Sequence, residues 1–375
     1  MRSPEEFIVP WVKAAEPYSD KHMDVAWENP HILRMMSNEN LLAPSEAVLD
    51  AVLEAARQGN FYPGSGPELR RKLGEAAGLT ADHVVLGDGS TDVINFVVHT
   101  FVAPGEDALI HVPTFPMYAA RIRVAGGNVI AVPMRPDFSW DVDAMLKAVT
   151  PRTKLIFVCS PNNPTGNQID EGDLTRILEL GTPTFFDEAY YELQELVVSR
   201  ASLIQKYPHM MVNRTLSKAF GLAGFRLGYV LCDPVLATYF NRVRIPWNVG
   251  LISLAAALAG LEDKQDQVRK RNNVLQGRRY IHDEINKMPG LRAYPSEGNF
   301  VLIDASVLGK ESSEIRDRMA ERGIFIRPMS GHNMARGFLR ITVGTPEQNH
   351  RFLRLFGEYV REVLGTQPGR TGADA

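Results

Sequence analysis

Short apolar segments alternate with stretches of helical period along the first two thirds of the chain. The apolar segments with the character of buried strands are 84–86, 108–110, 155–158, 184–186 and 228–231. Apolar residues recur with helical spacing over 69–77 and 92–101. Strands that alternate with helices in this way predict a mostly parallel sheet with helices on both faces.

The pattern predicts an α/β fold with two domains of unequal size. We predict a large domain over residues 47–250 and a small C-terminal α/β domain over residues 251–365. Apolar segments at 299–303 and 339–343 predict strands of the small domain. Residues 1–46 are expected to contribute to the small domain and to an interface, and the Gly-rich tail 366–375 to be disordered. Substrate is expected to bind between the two domains.

Composition narrows the class of protein. At 375 residues, with 45% hydrophobic and 23% charged residues, the chain can bury a large core. A net charge of −3 without a long basic block argues against nucleic acid as a partner. The longest apolar run, 251–261, is too short to cross a bilayer, and the first residues carry charges where a signal peptide is apolar. We therefore expect a cytoplasmic protein with no membrane partner.

Cysteine and histidine spacing adds two expectations. Cys159 and Cys232 both lie in apolar, strand-like contexts, which predicts buried free thiols rather than a disulfide. The histidines have no metal-ligand spacing, so no metal site is expected.

The segment 214–226 carries the first candidate chemistry. It places Lys218 among small, flexible and hydroxylated residues, with Arg226 eight positions further on. A lysine that forms a Schiff base must lose its proton near neutral pH, which partial desolvation and a nearby cation can bring about. Ser217 and Arg226 would then hold an anion close to the amine. Taken alone, the segment fits a turn with a surface lysine equally well.

Two upstream segments favour a Schiff-base lysine over a turn with a surface lysine. The run 155–158 is followed by Asn163, and the run 184–186 delivers Asp187 and then Tyr190. Ligands of open α/β sheets bind at the carboxyl ends of such strands. An aspartate can keep a pyridine nitrogen protonated, and an asparagine and a tyrosine can bind the ring oxygen, so with Lys218 these residues make a full set of partners for pyridoxal 5'-phosphate.

Several motifs in a fixed order resemble a known family. They are Ser37-Asn38-Glu39-Asn40, Tyr62-Pro63-Gly64, Gly87-Asp88-Gly89-Ser90, Pro113-Thr114-Phe115-Pro116-Met117-Tyr118, the segments above, and Phe338-Leu339-Arg340-Ile341-Thr342-Val343-Gly344-Thr345. Over residues 37–352 the chain resembles the class I/II, fold-type-I aminotransferases, and most closely the histidinol-phosphate aminotransferase branch.

The resemblance implies a role for each matched residue at the cofactor. Lys218 would be the Schiff-base lysine and proton shuttle, Asp187 the partner of the pyridine nitrogen, and Asn163 and Tyr190 the ligands of the ring oxygen. Phe115 matches the aromatic residue that stacks on the cofactor face. The residues that would hold the phosphate are Arg226, Ser217, Ser90 and Thr91.

The residues around Ser90 also have the local features of a phosphate site. Gly87 and Gly89 let the backbone approach a ligand closely, and the stretch 92–98 reads as the start of a helix. A helix N-terminus offers free amide donors and a favourable dipole to an anion. Taken alone, the segment is equally a strand-to-helix turn with a hydroxyl cap.

Other matches concern the substrate and a second subunit. Arg340 resembles the substrate-anion arginine of the family, and Arg327 a second one used by the histidinol-phosphate branch; arginine suits bidentate binding of carboxylate or phosphate. Asn40 and Tyr18 match substrate-side positions, Tyr18 at the entrance. Tyr62 resembles the tyrosine that reaches across a homodimer interface to the phosphate in the partner's site.

The activity implied is amino transfer by a ping-pong mechanism, in amino-acid biosynthesis. The donor would be an anionic amine, either an amino acid or a histidinol-phosphate-like compound, and the acceptor a 2-oxo acid. At 41–43 the chain has Leu-Leu-Ala where the branch has a proline and a glycine, which leaves the donor open. Alternatives are a decarboxylase resembling threonine-phosphate decarboxylase, a pyridoxal-phosphate-dependent oxidase of specialised metabolism, and a non-catalytic ligand-binding protein that keeps the fold.

Overall fold

The computed structural model describes residues 3–17 and 21–365. Two β-sheets organise the chain. The strands are β1 (Leu33–Met35), β2 (Val84–Asp88), β3 (Asp107–Val112), β4 (Asn128–Pro133), β5 (Thr153–Cys159), β6 (Thr184–Asp187), β7 (Met210–Thr215), β8 (Leu227–Leu231), β9 (Arg292–Ala293), β10 (Phe300–Asp304), β11 (Ile324–Pro328) and β12 (Phe338–Thr342).

Helices cover both sheets. The α-helices are α1 (Pro10–Ala14), α2 (Lys21–Glu28), α3 (Glu46–Ala56), α4 (Pro67–Ala76), α5 (Gly89–Phe101), α6 (Met117–Val124), α7 (Val142–Ala148), α8 (Glu171–Leu178), α9 (Pro234–Val243), α10 (Leu251–Glu262), α11 (Lys264–Asn286), α12 (Ser312–Glu321) and α13 (Pro346–Leu364). Short 3-10 helices occupy Pro4–Phe7, Ala81–His83, Tyr191–Leu193, Ala201–Gln205, Ala223–Phe225 and Ser306–Leu308.

The larger sheet has seven strands in the order β2-β8-β7-β6-β5-β3-β4. Strand β8 runs antiparallel to both of its neighbours, and the other strands are parallel to one another. Along β5, Leu155 and Phe157 join the hydrophobic core on one face while Ile156 and Val158 join the core on the other. Both faces are therefore buried, which explains the continuous apolar runs in the sequence. The predicted mostly parallel sheet is confirmed.

The smaller sheet has five strands in the order β1-β11-β12-β10-β9. Strand β1 pairs parallel with β11, and the remaining pairs are antiparallel. Helices α11, α12 and α13 pack on this sheet through a shared core that includes Ile281, Ile315 and Phe352. The strands predicted at 299–303 and 339–343 are β10 and β12.

Two elements bear on the predicted domain bounds. Helix α10 contributes Leu254, Ala256 and Ala257 to the core of the larger sheet. Strand β1, from the N-terminal segment, belongs to the smaller sheet. The bounds at residues 46 and 250 stay predictions, and the tail 366–375 lies outside the described residues.

The parallel strands deliver polar residues to one edge of the larger sheet. Strands β5, β6 and β7 end at Cys159, Asp187 and Thr215, and α5 begins directly after β2. Strand β8 passes closely under the first turn of α5, because a Cβ added at Gly228 would lie 2.5 Å from the backbone nitrogen of Ser90. Glycine is therefore required there for the strand and the helix to meet.

Cys159 and Cys232 are both buried, as predicted. No helix in 3–17 or 21–365 combines the length and the apolar character needed to cross a membrane. Within the same residues, no group of three or more His, Cys, Asp or Glu side chains has a geometry that could hold a metal ion.

Candidate active site

A cavity of about 420 Å³ opens between the two sheets, at the carboxyl edge of the larger one. Most of the residues predicted for the site line it. They are Ser90, Thr91, Phe115, Asn163, Asp187, Tyr190, Ser217, Lys218, Arg226, Arg327 and Arg340. The larger sheet and its loops supply most of these residues, and the smaller sheet supplies both arginines of strands β11 and β12.

Lys218 follows β7 and extends its amine into the cavity. Nζ donates to the backbone oxygen of Asn38 at 3.0 Å and lies 3.4 Å from that of Ser37. Burial, and secondarily the positive charge of Arg340, lower the pKa of Lys218 to about 8. With that pKa, about a tenth of the amine is neutral at pH 7, which makes it a usable nucleophile and base.

Asp187 ends β6, is buried, and lines the cavity. Its Oδ2 accepts from the Tyr118 hydroxyl at 2.6 Å, and its Oδ1 accepts from Asn213 Nδ2 at 2.8 Å and from the Ala189 backbone N–H at 3.0 Å. Burial raises the pKa of Asp187, while the hydrogen bonds from Tyr118 and Asn213 act in the opposite direction. The carboxyl is thus a fixed, well-partnered acid within reach of a ligand.

Asn163 and Tyr190 are held by residues of distant segments. Asn163 Oδ1 accepts from Arg340 Nη1 at 2.6 Å. The Tyr190 hydroxyl accepts from Asn38 Nδ2 at 3.0 Å, and the edge of its ring packs on Phe300. Burial raises the pKa of Tyr190, so the phenol stays neutral at physiological pH.

An anion cradle lies at the N-terminus of α5. Ser90 Oγ is buried and has no hydrogen-bond partner among the described residues. The Arg226 guanidinium lies against Gly89, where an added Cβ would be 2.9 Å from the arginine Cζ. Ser217 also lines the cavity, and its Oγ lies 3.0 Å from Thr215 Oγ1. An unsatisfied hydroxyl, a cation and a helix N-terminus fit a phosphate group.

A second positive region lies opposite, on the smaller sheet. Arg327 of β11 and Arg340 of β12 are directly paired across the antiparallel ladder. Both side chains line the cavity, and like charges placed opposite each other in a sheet destabilise it unless an anion lies nearby. Arg340 Nη2 also donates to the Met36 backbone oxygen at 2.7 Å, and Arg327 Nη1 lies 3.2 Å from His22 Nε2. The arginine pair therefore fits an anionic substrate group.

The sequence of the chain matches the model of the family "Aminotransferase class I and II" over residues 30–356. The chain belongs to this aminotransferase family. It is 37% identical over 329 residues to a histidinol-phosphate aminotransferase of Methanosarcina mazei, covering 87% of each chain. It is 36% identical over 338 residues to the enzyme of the same name from Symbiobacterium thermophilum, covering 89% of this chain and 91% of the relative.

Solved structures agree with the sequence comparison. The aminotransferase resembles the histidinol-phosphate aminotransferase of Sinorhizobium meliloti, solved in complex with pyridoxal 5'-phosphate, with a TM-score of 0.84 and 25% identity over 95% of this chain and 98% of the other. The aspartate aminotransferase of Thermus thermophilus with maleate, at 23% identity, has the same fold, with a TM-score of 0.83 over 96% of this chain and all of the other, 100%.

These similarities confirm the resemblance inferred from the sequence motifs. The chain is a fold-type-I, pyridoxal-phosphate-dependent aminotransferase of the histidinol-phosphate aminotransferase branch, and the decarboxylase alternative is not favoured. The residues of the cavity fit that cofactor. The Lys218 amine with its lowered pKa, the buried Asp187 and the anion cradle all line the same cavity.

Some residues of the aminotransferase site were not predicted. Tyr118 and Asn213 bind Asp187, Asn38 binds Tyr190, and His22 and His332 line the cavity beside Arg327. Burial, with help from Arg327 and Arg340, lowers the pKa of His332 to about 4. One signal was available in the sequence, because Asn213 is a polar residue directly after the apolar run 210–212.

Of the predicted residues that the structure describes, Asn40 and Tyr62 do not line the cavity of the aminotransferase. Asn40 Nδ2 lies 3.4 Å from the backbone oxygens of Lys218 and Ala219, so it supports the lysine loop. Tyr62 is 79% exposed and stacks on Trp247 with ring centroids 4.7 Å apart. Tyr18 lies outside the described residues. The substrate contacts of Asn40 and Tyr18, and the contact of Tyr62 with a partner's site, stay predictions.

Proposed function

We propose that this chain transfers an amino group from an anionic amine to a 2-oxo acid by a ping-pong mechanism, with Lys218, Asp187 and Tyr190 as its catalytic residues. The observation that carries the proposal is the position of the Lys218 amine, with its lowered pKa, between a buried acid, a phosphate cradle and an arginine pair. Few other chemistries require these groups in one cavity.

Each residue has a separate task at the cofactor. When bound, pyridoxal 5'-phosphate supplies a carbonyl that condenses with amines and a ring that accepts electrons from the substrate carbon. Asp187 would keep the ring nitrogen protonated, and Asn163 and Tyr190 would bind the ring oxygen. Phe115 would stack on the ring. The phosphate would be held by Ser90, Thr91, Ser217 and Arg226.

Lys218 would move the proton. In its neutral form the amine can accept the α-proton of the bound donor and return it to the cofactor side, and the lowered pKa keeps a neutral population available near pH 7. The backbone oxygens of Asn38 and Ser37 orient Nζ in the cavity. They accept hydrogen bonds from the amine in either protonation state, so the geometry survives the transfer.

The arginine pair would select the donor. Arg340 and Arg327 can each bind a carboxylate or a phosphate in two-point contacts. The relatives are named histidinol-phosphate aminotransferases, so histidinol phosphate is the first donor to test. Its phosphate would meet the arginine pair, with its amine toward Lys218.

We further infer that the active form is a cytoplasmic homodimer. Phe61, Tyr62, Ile245 and Trp247 are all more than half exposed and lie in two neighbouring segments joined by the stack of Tyr62 on Trp247. Large apolar side chains exposed on neighbouring segments are typical of a protein interface. In the dimer, Tyr62 would reach the phosphate in the site of the partner.

The experiment compares donors under steady-state conditions. Histidinol phosphate, histidinol, aspartate and phenylalanine are each supplied with 2-oxoglutarate, and the amino product is identified by mass. A preference for histidinol phosphate over histidinol that disappears in Arg327→Gln supports donor selection by the arginine pair. Absence of amino transfer from every donor would contradict the proposed function.

A further inference from the structure

Asn213 lies in the middle of the sheet, directly beside the acid of the site. It is fully buried on β7, and Asp187 of β6 is its register partner in the parallel ladder. Neighbouring side chains at one register position point to the same face of a sheet. The amide Nδ2 donates to Asp187 Oδ1 at 2.8 Å.

The stability of the fold does not explain an asparagine at this position. The other side-chain atom, Asn213 Oδ1, is buried and has no hydrogen-bond partner among the residues that the structure describes. A buried acceptor without a partner destabilises a protein. A leucine of similar volume would remove that polar atom and would lie beside Met211 and Val230, apolar residues on the same face of the sheet. The side chain is therefore better explained by its contact with Asp187.

The hydrogen bond from Asn213 affects whether the Asp187 carboxyl is ionised. A buried carboxylate and a protonated ring nitrogen can persist as an ion pair, or the proton can cross to the carboxyl and leave two neutral groups. Hydrogen bonds donated to the carboxylate favour its charged form. Asn213 and the Ala189 N–H supply donors to Oδ1, while Tyr118 supplies the donor to Oδ2.

We infer that Asn213 is a positioning residue that keeps Asp187 ionised, so that the proton between this carboxyl and the ring nitrogen of the cofactor stays on the nitrogen. The inference rests on the proposed function, because it concerns the protein with its cofactor bound. Asn213 touches neither substrate nor cofactor in this role. It acts through Asp187, by fixing the orientation of Oδ1 and lowering its basicity.

The test measures directly whether the ring nitrogen of the cofactor is protonated. Wild type, Asn213→Leu and the control Thr184→Val are loaded with cofactor labelled with nitrogen-15 at the ring, and the chemical shift of that nitrogen is measured by NMR across the pH range of stability. Thr184 is a fully buried polar residue of β6 whose hydroxyl bonds to the Thr182 backbone oxygen, away from Asp187. It controls for the loss of a buried polar group on the neighbouring strand.

The inference predicts a protonated ring nitrogen in wild type and Thr184→Val, and a shift toward the unprotonated value in Asn213→Leu at the same pH. If the leucine variant does not fold, Asn213→Ala removes the same donor and is read in the same way. An unchanged nitrogen shift in a cofactor-loaded variant would overturn the inference and leave the proposed function intact. A wild-type protein that takes up no cofactor would overturn both.

Discussion

Arg340 and Asn163 are joined by a hydrogen bond of 2.6 Å from Nη1 to Oδ1. The arginine belongs to β12 of the smaller sheet, and the asparagine follows β5 of the larger one. The contact therefore spans the cavity between the two sheets. If a substrate anion binds Arg340, it changes the partner of Asn163, so we predict that donor binding and cofactor alignment are coupled.

Arg340→Lys should lower kcat/KM for the amino donor by about 10- to 150-fold, since a charge-assisted hydrogen bond contributes about 1.5–3 kcal/mol. Lysine keeps the charge and loses the planar fork that reaches two partners. Steady-state kinetics with a single donor measures the effect. Arg354→Lys, on the exposed face of α13 where Arg354 pairs with Glu358, is the matched control and should leave kcat/KM unchanged. Equal kcat/KM values for the two variants would show that Arg340 does not bind the substrate.

Asp187→Asn should slow removal of the donor α-proton by at least about 100-fold, because the variant cannot hold a positive charge on the ring nitrogen. Cofactor affinity should change much less, since the phosphate cradle at α5 is untouched. Exchange of the α-proton with deuterated solvent measures the first quantity, and titration with cofactor the second. A variant that exchanges the α-proton at the wild-type rate is incompatible with the role assigned to Asp187.

The pKa of Lys218, about 8, sets a pH dependence for cofactor attachment to the protein. Below that pH the amine is protonated, so the rate of Schiff-base formation with added pyridoxal phosphate should rise about tenfold per pH unit and level off above it. Arg340→Gln should move the midpoint upward, because one of the cations that disfavour the charged amine is removed. Stopped-flow absorbance follows the reaction. A rate that keeps rising through pH 10 would indicate an unperturbed lysine.

Subunits that carry different substitutions can test the role of Tyr62. Lys218→Ala dimers should be inactive, and Tyr62→Ala dimers should bind cofactor more weakly. In a mixed dimer of the two, the subunit that keeps Lys218 receives the intact Tyr62 of its partner, so one fully functional site returns. Activity and cofactor retention of tagged, purified mixed dimers measure this. If the mixed dimer retains cofactor no better than Tyr62→Ala, the tyrosine does not act across the interface.

The sequence predicted those parts of the molecule that are local in the chain. Apolar runs identified β2, β3, β5, β6 and β8 because strands buried on both faces are continuously apolar. Strand β7 was missed since Asn213, Arg214 and Thr215 interrupt its run. Arg214 is buried there because it pairs with Glu188 at 3.0 Å. In the sequence, the charge of Arg214 suggests that the strand ends before it. Only the folded structure brings Glu188 close enough to pair with this charge.

The same contrast applies to the site. Asp187 and Asn163 could be predicted because each follows an apolar run at the ligand-binding edge of a parallel sheet. Lys218 could be predicted from its own segment, which places it among small and hydroxylated residues with Arg226 eight positions further on. The contact of Arg327 with His22 spans 305 positions, and that of Asn38 with Tyr190 spans 152. Neither pair has a local pattern. Helix α2 packs beside β11 and so brings His22 to Arg327, whereas Asn38, which follows β1 of the smaller sheet, meets Tyr190, which follows β6 of the larger one.

The central claim is amino transfer by Lys218 in this cavity, and a single half-reaction tests it most directly. Cofactor-loaded protein is mixed with the preferred donor under nitrogen, without acceptor, and both products are identified by mass. We predict one keto product and one pyridoxamine phosphate per active site in wild type, and neither in Lys218→Ala. Release of carbon dioxide with the cofactor recovered as pyridoxal phosphate would contradict the account.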